Sequence, residues 1–283
     1  MSMVATKVTG PVRPLRHSAP KGARCGGFGV LLALEVRKLK GSSFWWMASA
    51  MVAMVCAWSG LAFMKRAGSG NAALHTLALA QGEVYQTVGL LAPILAALLT
   101  SRLSVMETGE RMDLKWRSLG QGAGDRFFAK LAVAGVAVSL AFMVPLVWVP
   151  FAGLSDGFAL GGDFAALVFA PVLIALASSM AVSAIQLALS LTVGKQAVGL
   201  GVGVIAGLIG TGLGPMNAAR LGWLFPAGIS SAASPFLTIA GTDGHARMTL
   251  VSNPWSCVAG SLLACIIWIV ISAVIITIKE SRQ

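Results

Sequence analysis

SRLSVMETGERMDLKWRSLGQGAGDRFFAK, residues 101–130, carries ten charged side chains in thirty positions, in a chain that is 11% charged overall. Long apolar runs flank it on both sides. A charge at the centre of a bilayer costs about 2.5–3.5 kcal/mol on the mildest scale. This polar island therefore belongs in water and the runs beside it belong in hydrocarbon, which sets the fold class: helical spans joined by loops. The composition agrees. Of 283 residues 57% are hydrophobic and the mean hydropathy is +0.82, whereas a soluble domain is about 45–50% apolar and about 25% charged.

Upstream of the island, residues 84–101 read as a second span, with Pro93 favouring a kink. Residues 67–83 read as a polar loop, and residues 44–64 as a first span of 21 uncharged residues with Trp45 and Trp46 as interfacial anchors. Before it, FGVLLALEVRKLKGSS (28–43) places Phe28, Leu31, Leu32 and Leu39 at helical spacing, interrupted by Glu35, with Arg37, Lys38 and Lys40 at its end. Two readings stay open, an amphipathic helix lying in the interface or an extension of the first span. Residues 1–27 hold five basic residues, no acidic one and three prolines, and read as a disordered basic tail.

Downstream, spans are expected over about 131–153, 164–193, 197–213 and 257–278. The fourth is long, so a tilt, an extension or a break near Pro171 is expected. In the fifth, Gly199, Gly203 and Gly207 recur every four residues and let a neighbouring helix approach closely. Packing within the chain and a seam between copies both fit that stripe, the former better. Residues 214–256, broken by four prolines, are expected to hold a re-entrant or interfacial element around 221–231. The expected fold is thus an all-α polytopic membrane protein of six spans, with residues 44–283 as the membrane domain.

Lysine and arginine number eight, six, one and two in segments 1–43, 102–130, 194–196 and 279–283, and four in the three remaining loops together. Seventeen against four places both termini and the island in the cytoplasm. The net charge of +11 therefore orients the chain in the membrane. Nucleic acid is not an expected partner, because the basic residues are not interleaved with aromatic ones.

The six spans so bounded contain no Asp, Glu, Lys, Arg or His. That argues against a proton relay or a voltage sensor and leaves the serines without a general base. Phosphate-loop, HExxH and GxSxG patterns are absent, and GxGxxA at 201–206 lies inside an apolar span with no strand before it. Cys25, Cys56, Cys257 and Cys265 show no CxxC spacing, and the three histidines are scattered. No catalytic or metal-binding residue is expected, so any transport would draw its energy from another subunit.

Within the island, Glu107 with Arg111 and Asp113 with Arg117 are i,i+4 pairs with the acid first, and Met112, Trp116 and Leu119 form one apolar stripe. The residues alone leave two readings, a short helix that docks into a partner's cleft or a solvated helix lying on the membrane.

From residue 28 onward the chain resembles the permease subunits of type-two ATP-binding-cassette exporters, in particular those of lantibiotic (bacteriocin) immunity and peptide-antibiotic efflux. The resemblance rests on ALEVRKLKGSSFWW, on the acidic stretch around Glu107 and Glu110, on SLGQGAGDRFFAKL with Arg126 and Ala129-Lys130, and on IQLALSLTVGKQAVGLGVGVIAGLIG followed by LGWLFPAG. The family pattern has a proline in the turn before the basic residue, where this chain has glycines.

The resemblance implies an elbow helix at 28–43 with Glu35, Lys38 and Lys40. It also implies a coupling helix within 105–119, with Glu107, Glu110, Arg111, Met112, Trp116 and Leu119 facing the ATPase, and short re-entrant helices in 214–256. It further implies two ATPase subunits that bind ATP and magnesium (this chain has no cofactor of its own), a second permease, and a peptide or hydrophobic cargo held between permeases on spans two and five. The setting would be a bacterial cytoplasmic membrane. A non-transporting immunity or anchor protein, an exporter of a lipid or small drug, and an ion-coupled carrier are the alternatives. The missing intramembrane charges and the lack of an obvious inverted repeat weigh against the carrier.

Overall fold

The structure is a computed structural model that describes residues 28–71, 74–108, 123–193, 195–240 and 246–282. A helix α1 (Phe28–Lys38) leads into α2 (Ser43–Ala67), α3 (Leu77–Thr108), α4 (Ala123–Ser155), α5 (Phe164–Val193) and α6 (Gln196–Gly212). Two 3₁₀ turns (Ala219–Leu224, Pro226–Gly228), a single-turn helix α7 (Ile229–Ala232) and a hairpin of β1 (Phe236–Ala240) and β2 (Ala246–Leu250) follow, and α8 (Pro254–Ser281) closes the chain.

Five of these helices, α2, α3, α4, α5 and α8, are long and apolar enough to cross a membrane. Helix α6 is apolar but has 17 residues, about 25 Å of rise, at the lower limit for a span. The chain is therefore a multi-pass helical membrane protein, with one two-stranded hairpin beside the helices.

The expected boundaries were too tight. Segment 77–83, read as loop, is the first two turns of α3, because Leu77, Ala78, Ala80 and Gln81 are buried among the other helices. Gly124 sits in the first turn of α4. Pro171 does not break α5, which runs unbroken over 30 residues. The ends of α2, α3, α4 and α8 carry charges that the shorter spans left out, namely Lys65, Arg66, Glu83, Arg102, Glu107, Asp125, Arg126, Lys130, Lys279 and Glu280.

Packing inverts the pattern of a soluble protein. Helix α5 is the hub, with 72% of its most apolar window buried against 22% for α2. Many of its buried positions are small or polar, including Ala170, Ala181, Ser179, Ser183 and Gln186, beside larger ones such as Leu167, Ile174 and Leu187. The outer face of α8 is large and apolar (Leu263, Ile266, Val270), while its Ser261 and Ser272 are fully buried. Without a hydrophobic drive between helices in lipid, small residues that admit close backbone approach hold the bundle together.

Two side chains repair the backbone inside it. Pro150 has no N–H to offer Leu146 O, and Gln81 Nε2 donates to that carbonyl at 2.8 Å. Tyr85 Oη donates to Ser230 O at 2.7 Å. Tyr85 lies eight residues, about 12 Å, into α3, so the 226–232 segment dips well below the end of that helix.

Candidate functional site

One end of the bundle gathers α1, the start of α4, the α5–α6 turn and the last turn of α8, and it brackets the polar island. Helix α1 packs on α4 with its polar face turned inward. Glu35 is buried, while Phe28, Val30, Leu34 and Val36 are exposed. That arrangement suits a helix whose outer surface meets lipid rather than water.

Glu35 Oε1 accepts from Lys130 Nζ at 3.0 Å and from Lys38 Nζ at 2.9 Å. Lys130 is 1% exposed, so the pair joining α1 to α4 is out of water. Burial pushes the Glu35 carboxyl up, but the charge of Lys130 and the two lysine hydrogen bonds outweigh it and hold the group below its ordinary range. Removing one partner of a buried pair strands the other charge, at about 3–5 kcal/mol.

The chain then turns sharply. Leu39 N donates to Glu35 O at 3.3 Å, Gly41 adopts φ +88°, and Ser42 Oγ caps α2 by accepting from Phe44 N at 3.2 Å. Leu39 and Phe44 on either side are fully buried. Lys38 thus belongs to the ion cluster, whereas Lys40 sits exposed on the turn.

Two further contacts close this end. Lys279 Nζ donates to Leu191 O at 2.6 Å, at the C-terminus of α5, where a cation is favoured by the unpaired carbonyls. Arg126 Nη2 lies 4.0 Å from Glu280 Oε1, linking α4 to α8. The island is therefore flanked by an α4 whose first two turns are tied by charge to both α1 and α8. Glu107 lies on the last turn of α3. Glu110, Arg111, Met112, Trp116 and Leu119 lie outside the described residues.

The glycine stripe faces inward within the chain. A Cβ on Gly203 would lie 2.5 Å from Ala97 Cβ and 2.8 Å from Pro93 O, and one on Gly207 would lie 2.6 Å from Leu90 O. Gly199 faces Ser190 Oγ at 3.4 Å. With its amide nitrogen toward α6, Gln186 donates to Gly199 O and accepts from Gly203 N, both at 3.3 Å. The stripe thus closes α6 on α3 and α5, and the opposite face of α6, with Ile205, Leu208 and Ile209, is exposed.

Sequence reasoning quoted Lys130 and Glu35 in separate motifs and did not pair them, and it missed Gln81 and Gln186. The readable signal for the glutamines was an uncompensated amide in an apolar run, near a proline or opposite a glycine stripe.

A buried charge clamp at one end of a bundle of five long apolar helices and a shorter sixth defines a polytopic helical membrane protein. The comparison with known families agrees and narrows it. The family model described as ABC-2 family transporter protein matches residues 31–210, α1 through nearly all of α6. The chain belongs to this family, the membrane-spanning component of ABC transporters. No curated protein matches it.

Proposed function

We propose that the chain is the permease subunit of an ATP-driven exporter, and that the island end is where a separate ATPase subunit docks. In this reading the chain crosses the membrane six times, with α6 as the short fifth span. On the same reading the island end faces the cytoplasm of a bacterial cell, and the lysine and arginine distribution supports that side of the membrane. Helix α1 is the elbow, and the coupling helix lies within 105–119. Two permeases, identical or homologous, pair with two ATPase subunits that carry ATP and magnesium; this chain brings no ATPase site of its own.

The observation that carries the reading is the buried Glu35–Lys130 pair. It joins the elbow to the first turns of α4, directly after the island, so that a push on the island moves α1 and α4 together. A peptide antibiotic, in self-immunity or efflux, is the cargo we favour from the resemblance in the elbow and spans four and five.

Co-expression with the ATPase encoded beside it tests the reading. A stable detergent-extracted complex with ATP hydrolysis is expected, and Met112→Asp with Trp116→Asp should abolish the complex. Glu107→Ala with Glu110→Ala should lower coupled transport while insertion stays intact. A complex that survives the aspartates, or transport unchanged by the alanines, would remove the docking role.

A further inference from the structure

At the end of the bundle away from the island, a cavity of about 890 Å³ opens between α2, α3 and the tip of α6. Its wall changes character along its length. Met54 and Trp58 of α2 and Leu90 and Leu91 of α3 line an apolar part, and Lys65, Arg66 and Glu83 line the other. From Met54 to Arg66 is twelve residues of one helix, about 18 Å, close to the ~15 Å of hydrocarbon in one leaflet.

The polar groups of this cavity are not all consumed by the fold. Arg66, its side chain 9% exposed, pairs with Glu83 through Nη2 and donates from Nη1 to Leu74 O at 3.2 Å. Its Nε, buried, has no partner among the described residues, and neither has the buried Ser59 Oγ in the same wall. Lys65 is exposed and has no ion pair among the described residues. Two cations against one carboxylate leave the rim positive. An apolar slot one leaflet deep that ends at a positive rim, with Lys65 exposed there, suits a molecule with an acyl chain and an anionic head.

We propose that the cavity holds an anionic phospholipid from the leaflet at that end, with its acyl chain along Met54, Trp58 and Leu91 and its phosphate against Lys65 and Arg66. The proposal needs only a membrane-spanning chain. It stands or falls without the ATPase, so its failure and that of the exporter reading are separable.

The test uses the full chain in nanodiscs of phosphatidylglycerol and phosphatidylcholine in equal parts, extracted and read by native mass spectrometry. Phosphatidylglycerol should be retained over phosphatidylcholine. Lys65→Glu should lower its retention about fivefold or more, the worth of one basic residue facing an anionic headgroup. Ala62→Trp, which fills the slot, should lower retention of both lipids. Lys65 is exposed, so its variant keeps the test valid should the tryptophan disturb folding. Equal retention of the two lipids overturns the proposal, as does an unchanged Lys65→Glu. A photo-crosslinker at Trp58 should capture lipid; capture of a second copy of the chain or of an added peptide antibiotic would overturn the proposal.

Discussion

Helix α1 is held to α4 by a buried charge pair, whereas α6 is held to α3 by the absence of side chains. At the first junction Glu35 reaches Lys130 over 3.0 Å, and the two long side chains do the joining. At the second, Gly203 and Gly207 let the α6 backbone rest on Pro93 O and Leu90 O, closer than any Cβ would allow. Charge holds over a longer reach and tolerates small shifts of backbone, while a glycine seam permits none. The charged joint at the island end is thus the more compliant of the two and the α3–α6 seam the stiffer. Under the proposed function, in which the island end takes a push, the two kinds of joint would have different tasks.

Breaking the charged joint should have the largest effect. Lys130→Met strands Glu35 with only Lys38 and should cost up to about 3–5 kcal/mol. Hydrogen exchange should show α1 losing protection while the α3–α6 seam keeps its own. Adding Glu35→Gln should recover most of the loss, because the stranded charge is then gone. Equal loss of protection in both junctions would show that the two are not separate joints.

The seam is tested by Gly207→Leu. Its new side chain meets Leu90 O, a backbone atom that cannot swing away, and overpacking of this kind costs about 1–3 kcal/mol or more. Thermal unfolding in detergent should shift down and α6 should lose protection, with α1 unaffected. Gln186→Leu is milder. It removes two hydrogen bonds to α6, and interhelical bonds in membranes average about 0.6 kcal/mol. A drop as large as that of Gly207→Leu would mean that the amide, not the glycine contact, holds the seam.

The two junctions were not equally legible in the sequence. Glycines at 199, 203 and 207 mark a close contact by spacing alone, since a four-residue repeat keeps one face of a helix bare. The sequence could not say whether that face met α3 or another copy. Glu35 and Lys130 are 95 positions apart, and nothing local links a carboxylate in an amphipathic stretch to a lysine after an island. Hydropathy placed the helices well but drew their ends short, because it stops at the first charge, whereas helices such as α3 and α4 run on past the hydrocarbon. The hairpin escaped because its two short strands pair only with each other, whereas an element around 221–231 was expected and only its tie to Tyr85 was not legible.

The smallest effect concerns acid. Glu35 has its carboxyl held below the ordinary 4.5 in the folded chain. A group depressed in this way stabilises the fold above its unfolded value, and the contribution fades only as pH falls through the lowered one. Protection of α1 should therefore stay flat between about pH 6 and 8 and weaken only as the pH falls below the ordinary carboxylate range. Lys130→Met removes the largest of the interactions that offset burial. The lysine that offset burial is gone, so the carboxyl of Glu35 should take up a proton at higher pH than in the native chain, and part of the lost α1 protection should return as the medium is made mildly acidic. The native chain and the variant thus respond to acid in opposite directions, one losing the clamp and the other shedding a stranded charge. Matching pH profiles in the two would mean that Lys38 alone sets the state of Glu35, and that α1 is joined to α4 by packing around Leu39 and Phe44.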